Sequence, residues 1–229
     1  MVPVMFFNVV KKSTFMLLMS LMFFSMNSFS ANLKVIQEDI RRLLYVEEQT
    51  LDLMAIVEVD AFRQSAINKV ISIMSVYNKK FSEEDKYAIA NVIYEMSIRY
   101  NNLDVNLICA TITHESARTW RPNVVSPAGA LGLMQLMPRT GKFLSKHESI
   151  EWTNARQVLF DPVRNIRMGC RYLSMLIEVY HIDGGLAAYN GGSDRAERWL
   201  ASGRNDEVLF EETRGYIPAI LKLYDTYKN

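Results

Sequence analysis

The first half of this chain lacks both strong helix breakers. Every one of the 10 glycines lies at position 129 or later, and no proline falls between Pro3 and Pro122. With nothing there to interrupt the backbone ladder, that half is expected to be almost entirely helical. Alternating strand patterns, glycine loops of the dinucleotide-binding type and internal repeats are absent too, so the predicted fold class is all-α or nearly so. Cysteine is scarce. Cys109 and Cys170 both occupy apolar-face positions of predicted helices, which points to buried free thiols rather than a disulfide framework. The 3 histidines are scattered, and no His/Cys spacing suits a zinc or haem site, so no metal is expected. A surplus of one charge is also missing. Setting aside Lys11 and Lys12, 24 basic residues face 25 acidic ones, which gives no electrostatic case for a nucleic-acid partner.

What is present is enough apolar residue for a real core, and 229 residues suit one catalytic domain plus an accessory helical segment. Lys11 and Lys12 precede the apolar run Phe15 to Phe24, and a small-polar stretch from Ser25 to Ala31 follows. That is the order of a secretory signal, with cleavage expected before Ala31 and a periplasmic destination. An uncleaved anchor is the alternative, although the run is well short of the roughly 20 residues a spanning helix needs. The expected organisation is therefore a signal peptide at 1–30, a helical extension at 31–79 and a catalytic domain at 80–229.

In the extension, Leu33, Ile36, Ile40 and Leu43 recur by three and four. Farther on, Met54, Val57, Ile67, Val70, Ile71 and Met74 are candidate core residues. One or two helices are expected, either packed on the catalytic core or presenting a surface to a partner. Ser82 and Asp85 have capping-box spacing and should start a new helix. Asp104 should cap the next, on which Ile108, Ile112 and Glu115 share a face. Asp161 with Pro162 begins the strongest helix prediction, with Val163, Ile166, Cys170, Leu173, Ile177 and Tyr180 as its apolar stripe.

Glu115 is the chemical anomaly. A carboxyl on the apolar face of a helix is costly when charged, so burial raises its pKa toward the range a general acid needs. Pattern alone leaves open a second reading, a salt bridge to a neighbouring arginine.

The surrounding segments carry a resemblance. Glu115-Ser116, Ser126-Pro127-Ala128-Gly129-Ala130 and Gly132-Leu133-Met134-Gln135 match, in order and spacing, motifs of the lytic transglycosylases of the lysozyme superfamily. Ala188-Tyr189-Asn190 and Glu212-Thr213-Arg214-Gly215-Tyr216 resemble two further motifs of that family, and the helix opened by Asp161-Pro162 fits the one between. Residues 80 to 225 are covered. Ser193 and Gly215 depart from the family's usual Pro and Asn, and neither touches the proposed acid.

The resemblance implies a lysozyme-like helical domain that cleaves peptidoglycan glycan strands without a cofactor. Glu115 would be general acid and base; Ser116, Met134, Gln135, Tyr189, Asn190 and Tyr216 would hold the sugars. Glycosidases commonly need two carboxylates, whereas this chemistry uses the substrate's own C6 hydroxyl as nucleophile. Two other readings stand beside it. One is a hydrolytic muramidase with Glu212 or Asp183 as second carboxylate. The other is a glycan-binding scaffold of an envelope secretion apparatus, its partner held through residues 31–79.

Overall fold

The computed structural model describes residues 32–229, with side-chain burial from residue 38. The signal expected at 1–30 lies outside the described residues. The chain divides into two compact units, Met1–Asp60 and Ala61–Asn229. The described part of the first belongs to one long helix, α1 (Asn32–Tyr77). Leu44, Met54 and Val57 are exposed on it. Met54 and Val57 are thus not the core residues their spacing suggested, because amphipathic periodicity records a face and not what covers it.

The second unit continues from Ala61. Ile67, Val70 and Met74 are buried in its main core, with Ile71 packed at the edge. There follow α2 (Glu83–Arg99), α3 (Val105–Glu115), α4 (Pro138–His147), α5 (Ala155–Leu159), α6 (Pro162–Gly191), α7 (Ser193–Ala201) and α8 (Glu211–Lys228). A single 3₁₀ turn at Asp206–Val208 precedes α8. Among the described residues β pairing is limited to two isolated bridges, Val125 with Leu131 and Leu131 with Leu136. The fold class is all-α. No helix among the described residues is long and apolar enough to cross a membrane.

The helix starts follow from local chemistry. Asp104 accepts from the amides of Asn106 and Leu107, and Asp161 accepts from that of Arg164 with Pro162 at the first helical position. Ser82 caps α2, but Asp85 spends its carboxylate on the Ser82 hydroxyl at 2.7 Å, not on the backbone amide a capping box would engage. Helix α6 breaks at His181, which has φ 62° and ψ −178°. Beyond it the chain doubles back so closely that a Cβ on Gly185 would lie 2.8 Å from the Ile177 Cα. This fold-back returns Tyr189 and Asn190 to the same core that holds α3 and α8.

Candidate active site

Glu115 is the last residue of α3, and the chain beyond it is forced into an unusual path. Ala117, Arg118 and Trp120 all have positive φ, at 51°, 59° and 49°. Each such non-glycine residue costs on the order of 1–3 kcal/mol and needs support from its surroundings. Trp120 supplies it: the ring is fully buried, its amide donates to Ser116 Oγ at 3.0 Å, and its indole N–H donates to Thr113 Oγ1 at 2.9 Å. Thr113 in turn meets the Tyr227 hydroxyl at 3.0 Å, and Tyr227 meets Tyr77 at 2.9 Å. The end of α3 is therefore tied to α1 and α8 by partly buried hydrogen bonds. Ser116 is part of this brace; its hydroxyl serves Trp120 and leaves the Glu115 carboxyl to other partners.

Glu115 is half-buried, and its Oε1 accepts a 2.5 Å hydrogen bond from the Tyr216 hydroxyl of α8. Burial pushes its pKa up from 4.5 to about 7; the Tyr216 bond favours the charged form and opposes this, and the nearby Glu212 carboxylate adds to the rise. The salt bridge to a neighbouring arginine that pattern alone left open is absent among the described residues. A carboxyl poised near neutrality, with a hydroxyl orienting one oxygen, can give a proton and take one back. Tyr216 is itself buried, and His114 packs edge-on against its ring at 4.8 Å.

The loop through residues 126–137 meets this group of side chains at Tyr189, whose hydroxyl donates to the Met134 carbonyl. Gly132 has φ 84°, and a Cβ there would lie 2.2 Å from both Asn165 Nδ2 and the Leu159 carbonyl, so only glycine fits. Asn165 is fully buried and pins the loop: its amide donates to Leu131 O and Leu159 O, and its Oδ1 accepts from Met134 N at 2.8 Å. The Met134 side chain is fully buried, its sulfur 3.9 Å from Cys170 Sγ. Its apolar surface faces the core, so what it offers the site is its carbonyl, which accepts the Tyr189 hydroxyl at 2.8 Å. Gln135, at φ 46°, folds its amide onto its own loop, donating to Gly132 O and Val124 O.

Asn190 ends α6 beside α8. Its Oδ1 accepts from Thr213 Oγ1 at 2.6 Å and its Nδ2 donates to Glu212 Oε1 at 3.3 Å. The fold thus brings Glu115, Tyr189, Asn190 and Tyr216 together, with Glu212 exposed at the rim. Burial, followed by the nearby Glu115 charge, raises the pKa of both tyrosines well above 10, so both hydroxyls remain donors. Asp183 is engaged elsewhere: Arg204 Nε lies 2.7 Å from it, and although burial opposes this, that pairing holds its carboxyl below the usual range. Cys109 and Cys170 are buried and unbonded. Among the described residues, no group of three or more His, Cys, Asp or Glu is placed to hold a metal ion.

Sequence reasoning missed Thr113, Trp120, Asn165, Thr213 and Tyr227 as supports of this site. Asn165, a buried amide on an otherwise apolar helix face, carried the one available signal. The others depend on partners up to 150 residues away, as with Tyr77 and Tyr227.

Comparison with known proteins places this geometry in context. The Transglycosylase SLT domain family matches residues 93–208, just over half of the chain. A soluble lytic murein transglycosylase of Escherichia coli is 35% identical over 155 residues, which are 63% of this chain and 24% of that protein. The crystal structure of the 70 kDa soluble lytic transglycosylase of Escherichia coli superposes with a TM-score of 0.52 at 33% identity, over 60% of this chain and 23% of that one. An inactive Glu-to-Gln mutant of the Slt lytic transglycosylase from Pseudomonas aeruginosa gives 0.53 at 29% identity, again over 60% of this chain and 23% of its own. The chain therefore spans about a quarter of the length of these relatives.

Proposed function

This chain belongs to the Transglycosylase SLT domain family, and from that premise we propose that it is a lytic transglycosylase of peptidoglycan with Glu115 as its acid and base. The observation that carries the reading is the Glu115 carboxyl, held near neutrality by burial and oriented by Tyr216. In its protonated form it donates to the oxygen bridging N-acetylmuramic acid and N-acetylglucosamine, and the C1–O4 bond breaks. The substrate's acetamido carbonyl stabilises the cation left at C1. The Glu115 carboxylate then takes the proton of the muramyl C6 hydroxyl as O6 bonds to C1, which closes the 1,6-anhydro ring and restores the acid.

Since the nucleophile is tethered to the electrophile, no cofactor and no second catalytic carboxylate are needed. Tyr189, Asn190 and Gln135 line the sugar path, Tyr216 orients the acid, Ser116 braces the chain after Glu115 through its hydroxyl on Trp120, and Met134 acts through its carbonyl on Tyr189. The catalytic domain runs from residue 80 to 229. Residues 1–30 direct export to the periplasm, and residues 31–79 form an extension whose end packs in the catalytic core through Ile67, Val70 and Met74 and whose part before Ala61 is able to hold an envelope partner.

Digestion of purified sacculi followed by mass analysis of the products tests this. Anhydro ends, one water lighter than reducing ends, are expected. Reducing ends indicate a muramidase, and no release at all indicates a glycan-binding protein.

A further inference from the structure

The part of α1 before Ala61 carries apolar side chains in the open. From Glu48 to Asp60 every residue is exposed, and Leu43, Val46, Leu53 and Val57 are 41, 57, 60 and 60% exposed. Single apolar residues on a surface need no explanation, whereas a contiguous apolar face marks a contact. This helix also needs one. Val46, Ile56, Val57 and Val59 are poor helix formers, and a helix in water draws its stability from what packs on it more than from propensity.

Leu43, Val46, Thr50, Leu53 and Val57 recur by three and four, the spacing of the seam between two coiled helices. Thr50 does not interrupt it: its hydroxyl lies 2.9 Å from the Val46 carbonyl and 2.8 Å from the Glu47 carbonyl, so its polar group is satisfied within the helix and its methyl is left to pack. Charge then selects the occupant. Between Leu43 and Phe62 stand five acids, Glu47, Glu48, Asp52, Glu58 and Asp60, and no Lys or Arg, while Arg41 and Arg42 come immediately before. An anionic membrane surface repels such a face. Two copies side by side in parallel would set Arg42 on Arg42 and Asp60 on Asp60. Arg42 and Asp60 are 18 residues apart, five turns of about 3.6 residues, so they flank the seam on the same side. Antiparallel copies bring Arg42 of each beside Asp60 of the other, in the register that sets Val46 against Val57 and Thr50 against Leu53. Glu48 and Asp52 fall on the far side of the helix.

We infer that the seam from Leu43 to Val57 is an interface between two copies of this chain, paired antiparallel about Leu51 and Asp52. The pairing requires nothing of the proposed function. It leaves Leu44, Leu51 and Phe62, which are also exposed, outside the seam.

Sedimentation of the full chain should give a mass twice that of one chain, and mild oxidation of cysteine variants reads the register. Cys109 and Cys170 are buried and free, so they stay silent. Within one helix, residues 46 and 57 are about 16 Å apart, and a disulfide needs Cα atoms within about 7 Å. Val46→Cys/Val57→Cys should therefore become a covalent dimer, while Val46→Cys alone and Val57→Cys alone should not cross-link. Parallel copies would cross-link through either single cysteine and overturn the proposal, as would a mass of one chain. Leu53→Glu/Val57→Glu should weaken self-association roughly a hundredfold, because it buries carboxylates in an apolar seam, and Leu51→Glu, off the seam, should change it less than threefold. Association that ignores the first pair, or falls equally with both, would lie elsewhere and overturn the seam. Binding of a single-mass chain to neutral phosphatidylcholine vesicles would assign the face to a membrane instead. Trp120, Trp152 and Trp199 all follow Ala61, so unchanged tryptophan fluorescence in each variant guards against misfolding of the second unit.

Discussion

Two glutamates of this protein, Glu115 and Glu148, share a chemistry and differ in company. The Glu148 side chain has no exposed surface, and Arg99, Arg167 and Arg171 approach it at 2.9, 3.3 and 3.0 Å. Burial alone would raise its pKa, yet the hydrogen bond from Arg171 and the charges of Arg99 and Arg167 hold it below the ordinary range. Among the described residues Glu115 has no cation beside it but a tyrosine hydroxyl and a second carboxylate, and it is lifted to about 7. Burial of a carboxyl is therefore not what marks an acid. Pairing turns one into a fixed anion that joins α2 and α6, and the lack of pairing leaves the other able to move a proton.

The comparison breaks most sharply if Glu115→Gln keeps activity. That substitution preserves shape and removes the proton, so muropeptide release should fall by roughly 10²–10⁴-fold or more while the far-UV circular dichroism stays unchanged. Glu148→Gln should do the reverse. Stripping the charge from three converging arginines should cost about 3–5 kcal/mol in urea unfolding, and the protein that remains folded should turn over normally.

The pH dependence of stability should separate the two sites by sign. Folded Glu115 keeps its proton between about 4.5 and 7 while the unfolded chain releases it, so its contribution to stability falls as pH rises through that window. Glu148 contributes above the ordinary carboxylate range, and that contribution is lost as pH falls through its depressed pKa. Chemical unfolding of the two Gln variants across pH 3 to 8 reads both slopes.

Tyr216→Phe removes the donor that, among the described residues, favours charged Glu115. The alkaline limb of the rate profile should move up, and the rate should fall about 10- to 100-fold if the bond is worth roughly 1.5–3 kcal/mol. A limb that stays in place would show that the hydroxyl does not set the titration of the acid. The smallest effect is expected from Glu212→Gln. Removing that exposed carboxylate should shift the alkaline limb slightly down, by less in 0.5 M salt than at low ionic strength, because screening weakens exposed charges first.

Much of the framework was readable before any coordinates. Asp104, Ser82 and Asp161 announce helix starts because a cap bonds amides two or three residues away, and Ile166, Cys170, Leu173 and Ile177 line one buried face because helical period is local geometry. Met54 and Val57 mark the limit of that logic, as do Met134, whose side chain turned inward, and Ser116, whose hydroxyl serves Trp120.

The amino-acid order by itself determined the helical class, the helix starts and the carboxyl on the apolar face at position 115, since each depends on neighbours within a turn or two of chain. Only the tertiary structure decided that Tyr216 lies on that carboxyl, that Asn165 pins the Met134 loop, and that Glu148 is captured by three arginines. Those pairings span 19 to 101 residues. Helical periodicity says nothing about which helix ends meet; packing a shared core does.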